Sequence, residues 1–457
     1  MDRIVRSERV VYRGDVRPGA VHVRGGKIAD VTEPSDVPVG AEVDDVGDLV
    51  VMPGLVDSHV HVNEPGRTHW EGFETATKAA AAGGVTTIVD MPLNSVPSTT
   101  DVEALEEKVE AARGKCHVDV GFWGGVVPGN AGELESLHDA GVLGFKCFRI
   151  DSGVEEFEHV GVDDLREAMP VLADLETVLL THAELPGPVE DAAGVWDGKD
   201  PRSHATYLAS RPRAAEDEAI AEMIELADEF DCRVHIVHLS SSDALDDLRK
   251  AHAAGVPVTV ETCPHYLAFT SDHIGDGATA FKCAPPIREP ENRERLWSAL
   301  LDGDLDLVAT DHSPSPPEAK FPEGRGFNDA WGGIASLQVS LPTVWTEARD
   351  RGASLVDLAE WLCSGPARLA GIDDRKGTLE PGTDADLVVW NPDASFEIDA
   401  DRLHHRHPIT PYDGVTLNGR VRTTYLRGIP VYDDGVFPDP RSGEFLLHRN
   451  LPPSPGE

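Results

Sequence analysis

Leu55-Val56-Asp57-Ser58-His59-Val60-His61 decides the fold. The run starts apolar and ends in two histidines. Residues two apart on a strand face the same side, so His59 and His61 present their imidazoles together. Working outward, apolar strand candidates recur at 85–91, 117–123, 142–148, 177–182, 233–238, 257–263 and 305–311. Amphipathic stretches fill the gaps. Glu103 to Arg113, for example, repeats Leu105 and Val109 at helical spacing with charges between them. Eight buried strands with helical crossovers predict a parallel sheet, and eight close a barrel. Length alone, at about 150 residues per domain, suggests three domains, but α/β barrels run past ~200 residues as one unit.

Active sites of such barrels lie at the C-terminal ends of the strands. Strand five ends in Thr181-His182-Ala183-Glu184, strand six in His235-Ile236-Val237-His238 and strand eight in Thr310-Asp311-His312-Ser313. Strand four contains Gly144-Phe145-Lys146-Cys147-Phe148. Imidazole and carboxylate at four strand ends suit zinc or a similar borderline metal. A lysine inside an apolar strand is costly unless paired or neutral, and burial favours the neutral amine. A neutral amine beside metal ions can add carbon dioxide and become a carboxylate-like bridging ligand. His235 faces the opposite side of its strand from His238 and is assigned to core packing. His404, His405 and His407 lie beyond the barrel and are given no metal role; the role of His265 stays open.

The two ends of the chain read as one small β domain. Ala20–Arg24 and Lys27–Val31 flank Gly25-Gly26 as a hairpin, and Thr423–Arg427, Gly428 and Ile429–Tyr432 form another. Asp386–Trp390 is a further strand. Isolated hairpins are marginal in water, which favours pairing of the termini. The expected architecture is therefore a (β/α)8 TIM barrel over 51–375, with a small β-sandwich built from 1–50 and 376–457.

Asp and Glu number 81 against 40 Lys and Arg, a formal charge of −41. Of the basic residues, ten are Lys and thirty are Arg. Nucleic acid and anionic membranes are poor partners for such a surface. Acid-rich, lysine-poor composition predicts adaptation to a high-salt cytoplasm. No apolar run approaches the ~18 residues of a membrane span, and the N-terminus lacks the apolar core of a signal peptide. Cysteines 116, 147, 232, 263, 283 and 363 are scattered without a CxxC pair, which predicts free thiols in a reducing compartment.

Met52-Pro53-Gly54-Leu55-Val56-Asp57-Ser58-His59-Val60-His61, Gly83-Gly84-Val85-Thr86-Thr87 and Gly382-Thr383-Asp384-Ala385-Asp386-Leu387 together resemble the metal-dependent amidohydrolase superfamily. The likeness is to its cyclic-amide group of dihydroorotases, hydantoinases and allantoinases, and it covers nearly the whole chain. It implies a binuclear centre, with His59, His61 and Asp311 on one ion, His182 and His238 on the other, and carboxylated Lys146 (N6-carboxylysine) bridging. The ions would be two divalent metals, Zn2+ or else Co2+, Mn2+ or Fe2+, with CO2 needed for the lysine. The resemblance further implies a hydroxide that attacks a ring amide, with Asp311 moving the proton, in a homo-oligomer (dimer or tetramer).

Within the group, dihydroorotases carry HxHxR, whose arginine holds the substrate carboxylate. Here that position is Asn63, and no histidine follows closely after Asp311-His312. The expectation is a pocket without a cation for a carboxylate. Asn63-Glu64-Pro65-Gly66-Arg67-Thr68, Phe122 to Asn130 and Ala330 to Gln338 look most like the allantoinase branch, although its usual Asp-His-Ser-Pro-Cys ends here in Ser315. The implied substrate is allantoin, opened to allantoate, a step of ureide breakdown. Asn63, Cys283, Ser313 and Gly332 are the candidate substrate contacts. The rivals are a hydantoinase or dihydropyrimidinase, then a dihydroorotase, then a non-catalytic scaffold on the same fold.

Overall fold

The computed structural model describes residues 3–321, 323, 326–438 and 441–448. Residues 449–457, the end of the expected C-terminal part, lie outside them. Eight parallel strands form the barrel: Leu55–Val60, Val85–Asp90, a third strand in two pieces (Asp119–Phe122 and Gly124–Gly125), Phe145–Phe148, Val178–His182, Arg233–Ile236, Val258–Thr262 and Leu307–Val308. The ring closes where Val60 bridges His312 and the His61 N–H donates to the His312 carbonyl at 2.8 Å. All of the strands are buried on both faces apart from isolated positions such as Arg233 and Thr259. That burial explains their near-continuous apolar runs.

Helices cover the outside. Val102–Ala112 is one; the Asp101 carboxylate caps it by accepting from the Ala104 N–H at 2.9 Å, and Leu105 and Val109 are buried. Such a cap contributes about 1 kcal/mol. The third barrel strand is split because its first piece pairs with strand two and its second with strand four. A strand from the C-terminal tail, Phe445–Leu446, adds in parallel beside Asp119–Phe122. Two apolar residues in an acidic tail are too short a signal for the sequence to announce.

The terminal segments join as foreseen. Eight strands hydrogen-bond as one sheet, in which Val50–Pro53 pairs antiparallel with Leu387–Glu397. They fold over a shared core that includes Val5, Val21, Ile28 and Val51 from one end and Leu387, Val389 and Tyr425 from the other. This is the small β-sandwich. Among the described residues no helix is long and apolar enough to cross a membrane. All six cysteines are free and buried.

Candidate metal and hydrolytic site

At the C-terminal mouth of the barrel lies a cavity of about 580 Å3. His59, His61, His182, His238 and Asp311 line it, and Lys146 is fully buried within strand four. The Nε2 atoms of His59 and His61 converge on Asp311 Oδ1, at 3.2 and 3.3 Å. On the other side His238 Nε2 lies 2.9 Å from His182 Nδ1. His238 and Asp311 hold φ angles of 41° and 45°, a left-handed conformation rare outside glycine that turns each side chain off its strand.

Two carboxylates that carried no role in the sequence reading orient these rings. Glu261, on strand seven, lies 2.5 Å from His59 Nδ1 and 3.1 Å from His235 Nε2. Glu184 lies 2.8 Å from His182 Nε2 and accepts two bonds from Arg211, at 3.0 and 2.6 Å. Each fixes one ring nitrogen and leaves the other facing the cavity, the arrangement that metal-binding histidines need. His235 is thus a core residue, as its strand phase suggested, yet it supports His59 through Glu261. Burial pushes the Glu184 carboxyl up, but Arg211 and His182 overcome that and hold it well below the usual range.

Lys146 Nζ has no hydrogen-bond partner among the described residues and lies 4.6 Å from the centre of the Phe148 ring. Burial pulls its amine down to about 7. Burial likewise raises the Asp311 carboxyl, but His59, His61 and His238 outweigh this and hold it far below normal. An unsatisfied buried amine, imidazole nitrogens turned inward and an ionised carboxylate make up an N/O donor set that fits divalent transition ions.

The substrate candidates divide. Ser313 and Gly332 line the cavity; Asn63 and Cys283 are buried and do not. Asn63 instead donates weakly to the Pro314 carbonyl at 3.4 Å, and the Cys283 carbonyl accepts from the Tyr207 hydroxyl at 2.7 Å. Gly333 packs so closely that an added Cβ would come within 2.3 Å of the Ser313 carbonyl oxygen. Lys320 gathers that wall: its Nζ donates to the carbonyls of Lys282 and Trp331, at 2.8 and 2.9 Å, and to that of Gly333. Asn94 also lines the cavity, with its amide 3.3 Å from His61 Nδ1.

The pocket without a cation is corrected. Arg211 and Lys282 both line the cavity, supplied by loops far in sequence from Asn63 and from the segment after His312. His265 is fully buried with neither ring nitrogen partnered among the described residues, and burial lowers it to about 4. Of the C-terminal histidines, His405 packs against His312 and His407 bonds the His69 carbonyl.

The family model described as "Amidohydrolase family" matches residues 50–431. An allantoinase of Streptomyces avermitilis is 51% identical over 96% of this chain and 98% of its own. One from Saccharomyces cerevisiae is 45% identical over 97% and 98%. Among solved structures, an L-hydantoinase (dihydropyrimidinase) from Arthrobacter aurescens superposes with a TM-score of 0.93 at 33% identity, covering 98% and 99% of the two chains.

Proposed function

This chain belongs to the amidohydrolase family, and within it we propose that it opens the hydantoin ring of allantoin by hydrolysis, giving allantoate. The observation that carries the reading is the convergence of His59, His61, His182, His238 and Asp311 on one cavity above buried Lys146. Its near full-length likeness to allantoinases selects the substrate.

His59, His61 and Asp311 would hold one divalent ion and His182 and His238 a second, with Lys146, carboxylated by CO2, between them. When bound, such ions supply Lewis acidity toward the amide carbonyl and toward the attacking water. The donor set favours zinc, with cobalt, manganese and iron as alternatives. Glu261 and Glu184 keep His59 and His182 turned to the cavity. Asp311, held ionised, takes a proton from the attacking water and delivers it to the departing ring nitrogen. The water oxygen bonds to the carbonyl carbon as the ring C–N bond breaks. The acid formed loses its remaining proton and leaves as a carboxylate. Ser313 and Gly332, on the cavity wall, would contact the ring.

The reading extends to a salt-adapted cytoplasmic protein acting as a homo-oligomer, a dimer or tetramer. A turnover panel on the metal-loaded protein tests the substrate. Allantoin should outrun hydantoin, dihydrouracil and dihydroorotate; faster opening of any of the other three overturns the choice.

A further inference from the structure

The cavity above the histidines is lined by two cations that the hydrolytic reading does not bring to the substrate: Arg211, which also holds Glu184, and Lys282. Arg211 follows the helix His204–Ser210, and Lys282 follows the short turn Thr279–Phe281. Both line the same cavity as His182, His238 and Asp311. Arg211 commits Nε and Nη2 to Glu184, while its Nη1 makes no hydrogen bond to the described residues. Lys282 Nζ lies 2.5 Å from the Ala330 carbonyl, 3.5 Å from that of Asn328 and 5.2 Å from the centre of the Tyr207 ring. Carbonyls and a ring face satisfy the ammonium's geometry without cancelling its charge. Asp151 and Asp329 line the cavity as well. Burial and Arg211 lower the Lys282 amine to about 8, against an opposing pull from Asp329.

We propose that Arg211 and Lys282 form a carboxylate subsite, filled by the acid that ring opening releases. The inference rests on the hydrolytic reading above. The ring entering the cavity is neutral. Hydrolysis turns the attacked carbonyl into a carboxylate, so a full negative charge appears only after the chemistry. A guanidinium and an ammonium on the wall then bind the product better than the substrate. They offer the new carboxylate a place away from the reacting centre and clear Asp311 for the next cycle. A carboxylate borne on an intact ring, as in dihydroorotate, shares the chemistry and is the competing source.

Calorimetric titration of allantoate and of dihydroorotate into the metal-loaded protein, with allantoin KM measured alongside, tests the assignment. In Lys282→Met, allantoate affinity should fall about tenfold or more, the loss of one charge-assisted hydrogen bond. In Lys282→Arg it should stay within about threefold. In the unaltered protein, allantoate binding should weaken as potassium chloride rises from about 0.1 to 1 M, while allantoin KM holds. Unchanged allantoate binding in Lys282→Met overturns the subsite. An equal loss in Lys282→Arg, or salt-insensitive binding, overturns it too, because the lysine would then serve only its loop carbonyls. Loss confined to dihydroorotate overturns the product assignment in favour of a ring carboxylate. Failure to open allantoin would strike the hydrolytic reading and the product assignment with it, whereas loss of allantoate binding in Lys282→Met, measured without turnover, tests the carboxylate subsite separately.

Discussion

Lys146 and Lys376 are both buried lysines set beside potential metal ligands, and they are opposites. Lys146 Nζ touches no acceptor among the described residues, and burial drags its amine down to about 7. Lys376 Nζ lies 2.5 Å from Asp119, 2.6 Å from Asp386 and 3.0 Å from Asp384. Burial would lower it as well, but those carboxylates hold it well above the ordinary lysine range. Arg427 adds two bonds to Asp119, at 2.8 and 2.7 Å. Both neighbourhoods contain three potential ligand groups close together, His59-His61-Asp311 in one and Asp119-Asp384-Asp386 in the other. The second is saturated by cations of the chain itself and joins barrel strand three to the terminal sheet. The first is left incomplete by the chain. A buried polar cluster with every partner present is structure, and one with partners missing is a site.

The sharpest way to break that contrast is to remove each lysine in turn. Lys146→Ala should lower turnover by about a thousandfold or more, since in the proposed centre this lysine would carry the bridging charge between two ions. Metal analysis should show reduced occupancy, with the melting temperature little changed. A variant with full metal content and full rate would end the carboxylated-lysine reading. Lys376→Met should do the reverse. Leaving three carboxylates buried without their ammonium should cost about 3–5 kcal/mol in urea unfolding. The protein that remains folded should bind metal and turn over normally. Loss of metal ahead of stability would contradict the structural role.

A smaller effect separates ligands from the groups that orient them. Glu261→Gln and Glu184→Gln should weaken metal affinity by about 10–100-fold in competition with a chelator. Glu184→Gln should also lower stability, because Arg211 loses the carboxylate it is paired with while remaining on the cavity wall. Unaltered affinity in both variants would mean that the histidines are oriented by packing alone.

Those two glutamates mark where the sequence became unreadable. The barrel strands were legible because burial on both faces leaves long apolar runs, and the histidines stood out as polar endings on them. Lys146 was legible for the same reason, as a charge where none is tolerated cheaply. Glu261 sits within Val258–Thr262 and resembles any acidic strand residue until folding places it 2.5 Å from His59, 202 positions away. Arg211 and Lys282 come from loops whose approach to the cavity no periodicity encodes. Asn63 and Cys283 illustrate the converse. Asn63 lies two residues after His61 and Cys283 lies between cavity-lining Lys282 and Ala284, yet both are buried off the cavity, Asn63 with a φ of 69°.

The outer surface adds the smallest expected effect. The formal charge of −41 belongs to neither lysine cluster, because both are internal. Repulsion among surface carboxylates opposes compaction in dilute buffer. The Debye length shortens from about 10 Å at 0.1 M salt to about 3 Å at 1 M, so most pairwise relief should arrive by about 1 M. Exposed ion pairs such as Arg13–Glu380 and Arg368–Glu360 weaken over the same range, but each contributes only about 0–1 kcal/mol. The Lys376 network, shielded from solvent, should not respond. The melting temperature should therefore climb by several degrees between about 0.1 and 1 M potassium chloride, and Lys376→Met should show the same increment from a lower start. A flat or falling curve would reject salt adaptation. An increment that vanishes in Lys376→Met would place the salt response inside the protein instead of on its surface.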